Sequence, residues 1–179
     1  MDPLALAAFD RAVALAGGER ARIRPIRPDD APRLEELYAR LSEQSAYQRF
    51  FRVMQRLPPD WARFLAAVDH QRRFALVAEA LDTAPPVLVG VARYEPLPDV
   101  SIVELAVVVQ DSWQGKGLGS LLLRELLRAA DLNGIHRFRA FVLAENRRML
   151  HVLSRSTEVQ ERKRDGGVLE LTLRRKVEG

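Results

Sequence analysis

The chain of 179 residues is long enough for one domain with a substantial core, and 47% hydrophobic and 29% charged residues are typical of a globular protein. It contains no cysteine, which excludes disulfides, thiolate metal sites and a cysteine nucleophile. The formal net charge of +4 comes from basic residues spread along the whole chain, so it gives little support to a nucleic-acid partner.

The first residues of the chain do not resemble a targeting segment. They are acidic and lack the basic start of a secretory signal, and no apolar run is long enough to span a membrane. We therefore expect a soluble cytoplasmic protein without a membrane partner. Residues 3–16 predict a short helix ending at Gly17 and Gly18. We assign residues 1–19 to an N-terminal helical extension and residues 20–179 to the main domain.

The next segment predicts one strand and three helices. Residues 22–27 alternate like a strand, and Pro25 favours an edge position because it cannot donate to a central ladder. Apolar residues at helical spacing then predict helices over residues 30–41, 42–52 and 58–68.

The second half of the chain predicts the remaining strands and helices. Residues 101–109 are apolar on both alternating faces, which indicates a central strand covered on both sides. The other strands are expected at 74–79, 87–94, 137–143, 157–164 and 168–174, and the other helices at 117–132 and 145–156. The order predicts a single α/β domain with a mixed central sheet of about seven strands flanked by helices.

The junction at residues 107–120 is the most informative stretch. A valine-rich strand runs into a loop with alternating glycines, Gly115, Gly117 and Gly119, and the loop runs into a helix. Glycines let the backbone approach a ligand closely, and the free N–H groups of a first helical turn favour an anion. The junction therefore predicts a site for a phosphorylated small molecule.

Spacing excludes two familiar phosphate loops. A P-loop needs Lys-Ser or Lys-Thr directly after its last glycine, whereas Gly119 is followed by Ser120. A dinucleotide fingerprint needs a glycine at its sixth position, and counting from Gly115 or Gly117 reaches Ser120 or Leu122. The pattern that remains is Gln-x-x-Gly-x-Gly, which starts at Gln114, and its alternative interpretation is an ordinary glycine-rich connection between a strand and a helix.

This pattern resembles the pyrophosphate-binding loop of the GCN5-related N-acetyltransferases (GNAT), which hold acetyl-CoA. Other segments are similar to the acetyltransferase domain of bacterial Pat-type protein lysine acetyltransferases, at residues 23–30, 41–51, 68–70, 89–94, 103–109 and 142–150. The resemblance covers about residues 20–155. It implies a GNAT-like fold and transfer of acetyl from acetyl-CoA to an amine, such as a protein lysine. Because the chain has neither a cysteine nor a Gly-x-Ser-x-Gly elbow, we expect direct transfer in a ternary complex. By analogy, residues 42–56 and the loop 95–99 border the acceptor cleft.

The same resemblance implies the residues that bind the cofactor. The main chain of one strand would pair with the pantetheine arm, and the glycine loop would wrap the pyrophosphate. Lys116 has an alternative as a solvated loop lysine, and Asn146, which contacts the cofactor in the family, is also a natural helix cap. The implied residues are Val107, Val108, Val109, Gln114, Gly115, Lys116, Gly117, Leu118, Gly119, Ser120 and Asn146.

Glu104 is the candidate general base. It lies in an apolar strand, where an ionised carboxylate is costly unless it is paired or functional, and partial burial would raise its pKa toward the working range of a base. It matches the glutamate that acts as general base in Pat-like enzymes. The alternative is a structural salt bridge, for example to Arg93.

The chain departs from the family pattern where many members have a tyrosine that protonates the leaving thiolate. Leu153 stands there, and His151 lies about 200° away around the helix, so we expect it to face another way. The scattered histidines suggest no metal site. Alternatives to protein lysine acetylation are acetylation of a small amine or amino acid, a non-catalytic acyl-CoA sensor, and a nucleic-acid-associated module.

Overall fold

The computed structural model describes residues 1–99 and 101–176. No helix within these ranges is long and apolar enough to cross a membrane. The strands are β1 (Arg11–Ala14), β2 (Arg20–Pro25), β3 (Phe74–Ala80), β4 (Leu88–Pro96), β5 (Val103–Val109), β6 (Phe138–Leu143), β7 (Thr157–Asp165) and β8 (Val168–Arg175). The helices are α1 (Pro3–Ala7), α2 (Ala31–Ala39), α3 (Glu43–Phe50), α4 (Pro59–Ala66), α5 (Leu118–Leu132) and α6 (Arg147–Ser156).

All the strands belong to one sheet. It has 8 strands in the order β1-β2-β3-β4-β5-β6-β8-β7. Neighbours run antiparallel except β5 and β6, which are parallel. The expected single α/β domain with a mixed sheet and flanking helices is confirmed, and the strand beyond the expected seven is β1.

Strand β1 lies where the sequence predicts a helix. The helix expected over residues 3–16 is correct for α1 and wrong for Arg11–Ala14, which pairs with β2. Asp10 accepts two hydrogen bonds from Arg22 at 2.6 and 2.8 Å, and this long-range contact holds the hairpin together. Tertiary pairing here overrides the local helix propensity of an alanine-rich segment. The assigned extension, residues 1–19, is thus only partly helical, and its boundary stays a prediction.

Strand β2 is interior, whereas its proline predicts an edge position. The pairing with β1 ends at Ile23, before Pro25 is reached. The missing N–H of Pro25 therefore leaves no gap in the ladder on that side, and β2 accommodates a proline between two neighbours.

Both faces of the sheet are covered. One core lies between the sheet and α5 and includes Leu105, Val107 and Val109. The other core lies beneath α2 and α4 and includes Val108. Successive side chains of a strand point to opposite faces, so β5 contributes to both cores, as the sequence predicts for residues 101–109.

Strands β5 and β6 separate after a short parallel contact. Their backbone partners are Val103 with Phe138 and Glu104 with Arg139. Beyond this point β5 stays paired with β4, and β6 stays paired with β8. The edge of β5 that faces β6 therefore has no partner strand among the described residues beyond Leu105, and a cleft opens there.

Candidate functional site

The cleft between the separated strands has a volume of about 720 Å³. Helices α3 and α6 and the loop between β5 and α5 form its other walls. Val107, Val108 and Val109 line it from β5 while their side chains remain buried in the two cores. The main chain of β5 is thus the part of this strand that can pair with a ligand.

The glycine loop forms one end of the cleft. Gly115 and Gly117 have φ angles of +75° and +89°, in the left-handed region that favours glycine. Within the described ranges, no hydrogen bond uses the backbone N–H groups of residues 115–120, and the first bond of α5 runs from Leu121 N to Gly117 O. Gly119 and Ser120 also line the cleft. A row of free N–H donors at a helix start fits a diphosphate.

Two residues of the predicted loop lie outside the cleft lining. Leu118 is completely buried in the core beneath α5. The Lys116 ammonium forms an ion pair with Glu19 in the turn between β1 and β2. Either residue can therefore reach a ligand in this conformation only through its backbone. No local sequence pattern indicates the contact between Lys116 and Glu19.

Gln114 connects the loop to three other elements. Its Nε2 donates to the Val109 carbonyl at 2.9 Å and to the Ser45 hydroxyl of α3 at 3.1 Å. Its Oε1 accepts a hydrogen bond from Arg148 of α6 at 3.0 Å. The side chain that was expected to wrap the pyrophosphate thus also fixes the walls of the cleft.

Asp111 fastens α3 to the same loop and was not predicted as a site residue. Its carboxylate accepts hydrogen bonds from Ser42 N at 2.9 Å, Ser42 Oγ at 2.6 Å and Ser45 Oγ at 2.8 Å. Burial opposes ionisation of Asp111, but these bonds outweigh it and lower the pKa. A capping serine before α3 was the available signal, and it does not reveal a partner so distant in sequence.

Asn146 caps α6 and lines the cleft as well. Its Oδ1 accepts a hydrogen bond from Met149 N at 3.1 Å, so the capping alternative is observed. No hydrogen bond within the described ranges uses its amide nitrogen, which leaves a donor for a ligand. The two roles expected for Asn146 are compatible.

Glu104 lies at the point where β5 and β6 separate. Its carboxylate makes no hydrogen bond or ion pair with the described residues, and the alternative partner Arg93 binds Glu95 instead, with Nε to Oε1 at 3.0 Å. Burial raises the pKa of Glu104, and the nearby carboxylate of Glu95 adds to this, while Arg49 and Arg139 oppose it. The result is a half-buried carboxylate whose pKa lies above its ordinary value.

A second cavity of about 660 Å³ adjoins the first. Glu104, Arg49, Phe51 and Phe141 line both cavities, so Glu104 lies between them. Strands β7 and β8 form the outer wall of the second cavity. The expected border from residues 42–56 is present here, whereas the loop 95–99 lines neither cavity.

Arg49 of α3 is a further residue that the sequence did not single out. Its guanidinium lies 4.8 Å from the centre of the Phe50 ring and has no ion pair with the described residues. The pattern of α3 predicts a helix but does not show which arginine faces the cleft.

The position expected for a proton-donating tyrosine is apolar. Leu153 is 2% exposed and packs in the core at the edge of the cleft. His151 is exposed whereas Leu153 is buried, so the two side chains face different ways as expected, although His151 also lines the cleft. No group of three or more potential metal ligands occurs in the part of the chain that the structure describes.

Comparison with known proteins adds evidence independent of this geometry. The model of the acetyltransferase (GNAT) domain family matches residues 20–156. Acetyltransferase PA5475 of Pseudomonas aeruginosa is 31% identical over 135 residues, which is 75% of this chain and 73% of that protein. Acetyltransferase Pat of Mycolicibacterium smegmatis is 30% identical over 154 residues, which is 85% of this chain and 45% of that protein.

A solved structure has the same fold. The GNAT domain of S. lividans PAT superposes with a TM-score of 0.81 and 32% identity, covering 93% of this chain and 97% of that domain. The chain thus matches an isolated domain almost end to end, while it spans less than half the length of the M. smegmatis relative.

Proposed function

The chain belongs to the GNAT acetyltransferase family, and we propose that it transfers acetyl from acetyl-CoA directly to a protein lysine with Glu104 as general base. Acetyl-CoA is the co-substrate of the family and supplies an acetyl group activated as a thioester. The observation that carries the proposal is the position of Glu104 between two adjoining cavities. One cavity suits the donor, and the other suits the acceptor.

The donor cavity offers backbone groups at both ends. The free N–H groups of residues 115–120 would hold the diphosphate, and the free edge of β5 would pair with the amides of the pantetheine arm. The unused amide nitrogen of Asn146 would donate to the arm from the opposite wall. These contacts would orient the thioester toward Glu104 and exclude water from the cleft.

Glu104 would remove the proton that prevents the acceptor amine from attacking. A lysine ammonium has a pKa of about 10.4, so at neutral pH it needs a base, directly or through one water. Burial raises the pKa of Glu104 and makes its carboxylate a better proton acceptor, whereas the positive charges of Arg49 and Arg139 favour the ionised form. No covalent acyl-enzyme is required, because the amine and the thioester meet in one ternary complex.

The leaving thiolate would depart without a side-chain acid at the usual place. Leu153 cannot donate a proton, and a thiol with a pKa of about 8.5 is an adequate leaving group in its ionised form. The apolar substitution therefore supports a mechanism in which deprotonation of the amine is the main chemical contribution of the protein.

The acceptor cavity suits a long side chain that ends in a cation. Phe51 and Phe141 offer apolar walls for an aliphatic stem, and Glu104 lines the same cavity. The outer wall carries charges of both signs, including Lys163 and Glu170. The resemblance to Pat-type enzymes favours protein lysine over a free small amine.

Replacement of Glu104 by Gln tests the general base. We expect Glu104→Gln to lower kcat by about 10²-fold or more, because the amide cannot accept the proton. Its Kd for acetyl-CoA by calorimetry should stay within about twofold of wild type, since the change removes no donor contact. Glu36→Gln on the exposed face of α2 is the matched control. Wild-type turnover in Glu104→Gln would overturn the assignment.

A labelling experiment tests the acceptor class. The protein is incubated with labelled acetyl-CoA and a host lysate, and proteins and metabolites are then analysed by mass spectrometry. We expect label on protein lysines that is absent with Glu104→Gln. Label confined to small amines would contradict the protein acceptor while leaving the transferase reaction intact.

A further inference from the structure

A carboxylate from the N-terminal hairpin contacts the loop that is proposed to hold the diphosphate. Glu19 lies in the turn before β2 and forms an ion pair with the Lys116 ammonium. The two side chains are 29% and 32% exposed, so the pair is partly shielded from solvent. The contact joins the hairpin of β1 and β2 to the glycine loop across 97 residues of sequence.

The surroundings of Glu19 are unusual for a surface carboxylate. Its Oε2 is buried and accepts no hydrogen bond from the described residues. A Cβ at Gly17 would lie 2.3 Å from that oxygen, so the glycine leaves room for the carboxylate. The Lys116 hydrogen bond lowers the pKa of Glu19 from its ordinary value, which favours the carboxylate form. A fixed negative charge thus lies beside a loop suited to a negative ligand.

Lys116 is the residue whose charge Glu19 cancels. Lys116 does not line the donor cleft in this conformation, although both of its neighbours, Gly115 and Gly117, do. Without Glu19, its ammonium would be free to approach a diphosphate bound to the loop amides. Glu19 also precedes the family match, which begins at residue 20, so one of the two partners lies outside the matched segment.

We infer that Glu19 lowers the affinity of the donor site by competing with the diphosphate for Lys116, which eases release of the CoA product. The inference rests on the proposed position of the diphosphate at the glycine loop. In the wild type the pair has no net charge, Glu19→Gln leaves one positive charge, Lys116→Gln leaves one negative charge, and the double variant is neutral again. Glu19 would therefore change the affinity for CoA and acetyl-CoA through Lys116 and would not change the chemical step.

The test is titration of CoA and acetyl-CoA into the four proteins by calorimetry. We expect Glu19→Gln to bind about two- to fivefold more tightly, Lys116→Gln to bind more weakly by a similar factor, and the double variant to resemble wild type. The gain in Glu19→Gln should shrink at about 0.5 M salt, because added ions screen the charges. A role that only stabilises the loop would weaken binding in all three variants.

Steady-state kinetics separate this role from catalysis. In Glu19→Gln the KM for acetyl-CoA should fall while the KM for the acceptor stays unchanged. Asp60→Asn, which removes a carboxylate paired with Arg63 on α4, is the control for the same change in net charge. Unchanged or weaker CoA binding in Glu19→Gln would overturn this inference alone. No CoA binding by the wild type would overturn the proposed donor site as well.

Discussion

Glu104 is subject to opposing electrostatic influences. Burial and the neighbouring carboxylate of Glu95 favour its protonated form, whereas Arg49 and Arg139 favour the ionised form. Arg139 is also paired with Glu170 at 3.0 Å, while Arg49 has no such partner among the described residues. Arg49 is therefore the cation whose removal should change the titration of Glu104 most directly.

The pH profile of Arg49 variants tests this balance. A general base works when ionised, so kcat should rise with pH through the pKa of Glu104, which lies above the ordinary 4.5. Because Arg49 lowers this pKa, Arg49→Gln should move the acid limb of the kcat profile to higher pH. Arg49→Lys keeps the charge and should leave the limb near its wild-type position. A limb that moves to lower pH in Arg49→Gln would contradict the proposed electrostatics.

At the scale of elements, alanine variants of the glycine loop between β5 and α5 can distinguish the effect of ligand contact from the effect of backbone strain. Gly119 lies in the first turn of α5, and its added Cβ would be 3.7 Å from Val109 Cγ2, an ordinary contact distance. Gly119→Ala should therefore fold normally yet place a methyl group in the donor cleft. We expect its Kd for acetyl-CoA to rise about tenfold or more, measured by calorimetry, because the backbone can no longer approach the diphosphate closely.

Gly117, in the same loop, and Gly134, outside it, provide a second test position and its control. Gly117 and Gly134 have φ angles of +89° and +71°, so alanine at either position costs about 1–2 kcal/mol in backbone strain. Both variants should show a similar decrease in Tm of a few degrees, about 2–4 °C per kcal/mol. Only Gly117→Ala should also weaken acetyl-CoA binding. Unchanged affinity in Gly119→Ala and Gly117→Ala would contradict the role of the loop.

The elements differ in how well the sequence predicts them. The strand, glycine loop and helix around residues 107–120 are encoded locally by apolar runs and glycines, and the hairpin of β7 and β8 by its turn residues. Strand β1 is not encoded in this way, because it depends on backbone pairing with β2, beside which Asp10 and Arg22 also form an ion pair. Contacts such as Lys116 with Glu19 also join distant segments, and no local pattern reveals them.

At the scale of the whole molecule, a buried ionic cluster joins the sheet to the start of α2. Arg24 donates two hydrogen bonds to Asp30, both at 2.7 Å, and two to Glu79, at 3.0 and 2.6 Å. Arg33 contributes further bonds to the same two carboxylates. Burial opposes ionisation of Asp30 and Glu79, but the bonds and charges of the arginines outweigh it and lower both pKa values.

Removal of Arg24 should destabilise the whole fold. Its side chain is 3% exposed, and Arg24→Gln leaves two buried carboxylates without their main cation, which costs about 3–5 kcal/mol. Arg20→Gln is the control, because its pair with Asp82 is 65% and 52% exposed and is worth about 0–1 kcal/mol. Urea unfolding followed by circular dichroism measures both values. Equal losses in the two variants would show that the buried cluster contributes no more than a surface pair.

The same cluster predicts how acid unfolds the protein. Asp30 and Glu79 have lowered pKa values when folded, so their stabilisation is present above the ordinary values of 3.8 and 4.5 and is lost as pH falls through the lowered ones. In Arg24→Gln the cation that most strongly opposes the effect of burial is absent, so the pKa values of Asp30 and Glu79 should be higher than in the wild type. The midpoint of acid unfolding should therefore move to higher pH in this variant and stay unchanged in Arg20→Gln. An unchanged midpoint in Arg24→Gln would mean that these carboxylates do not control acid stability.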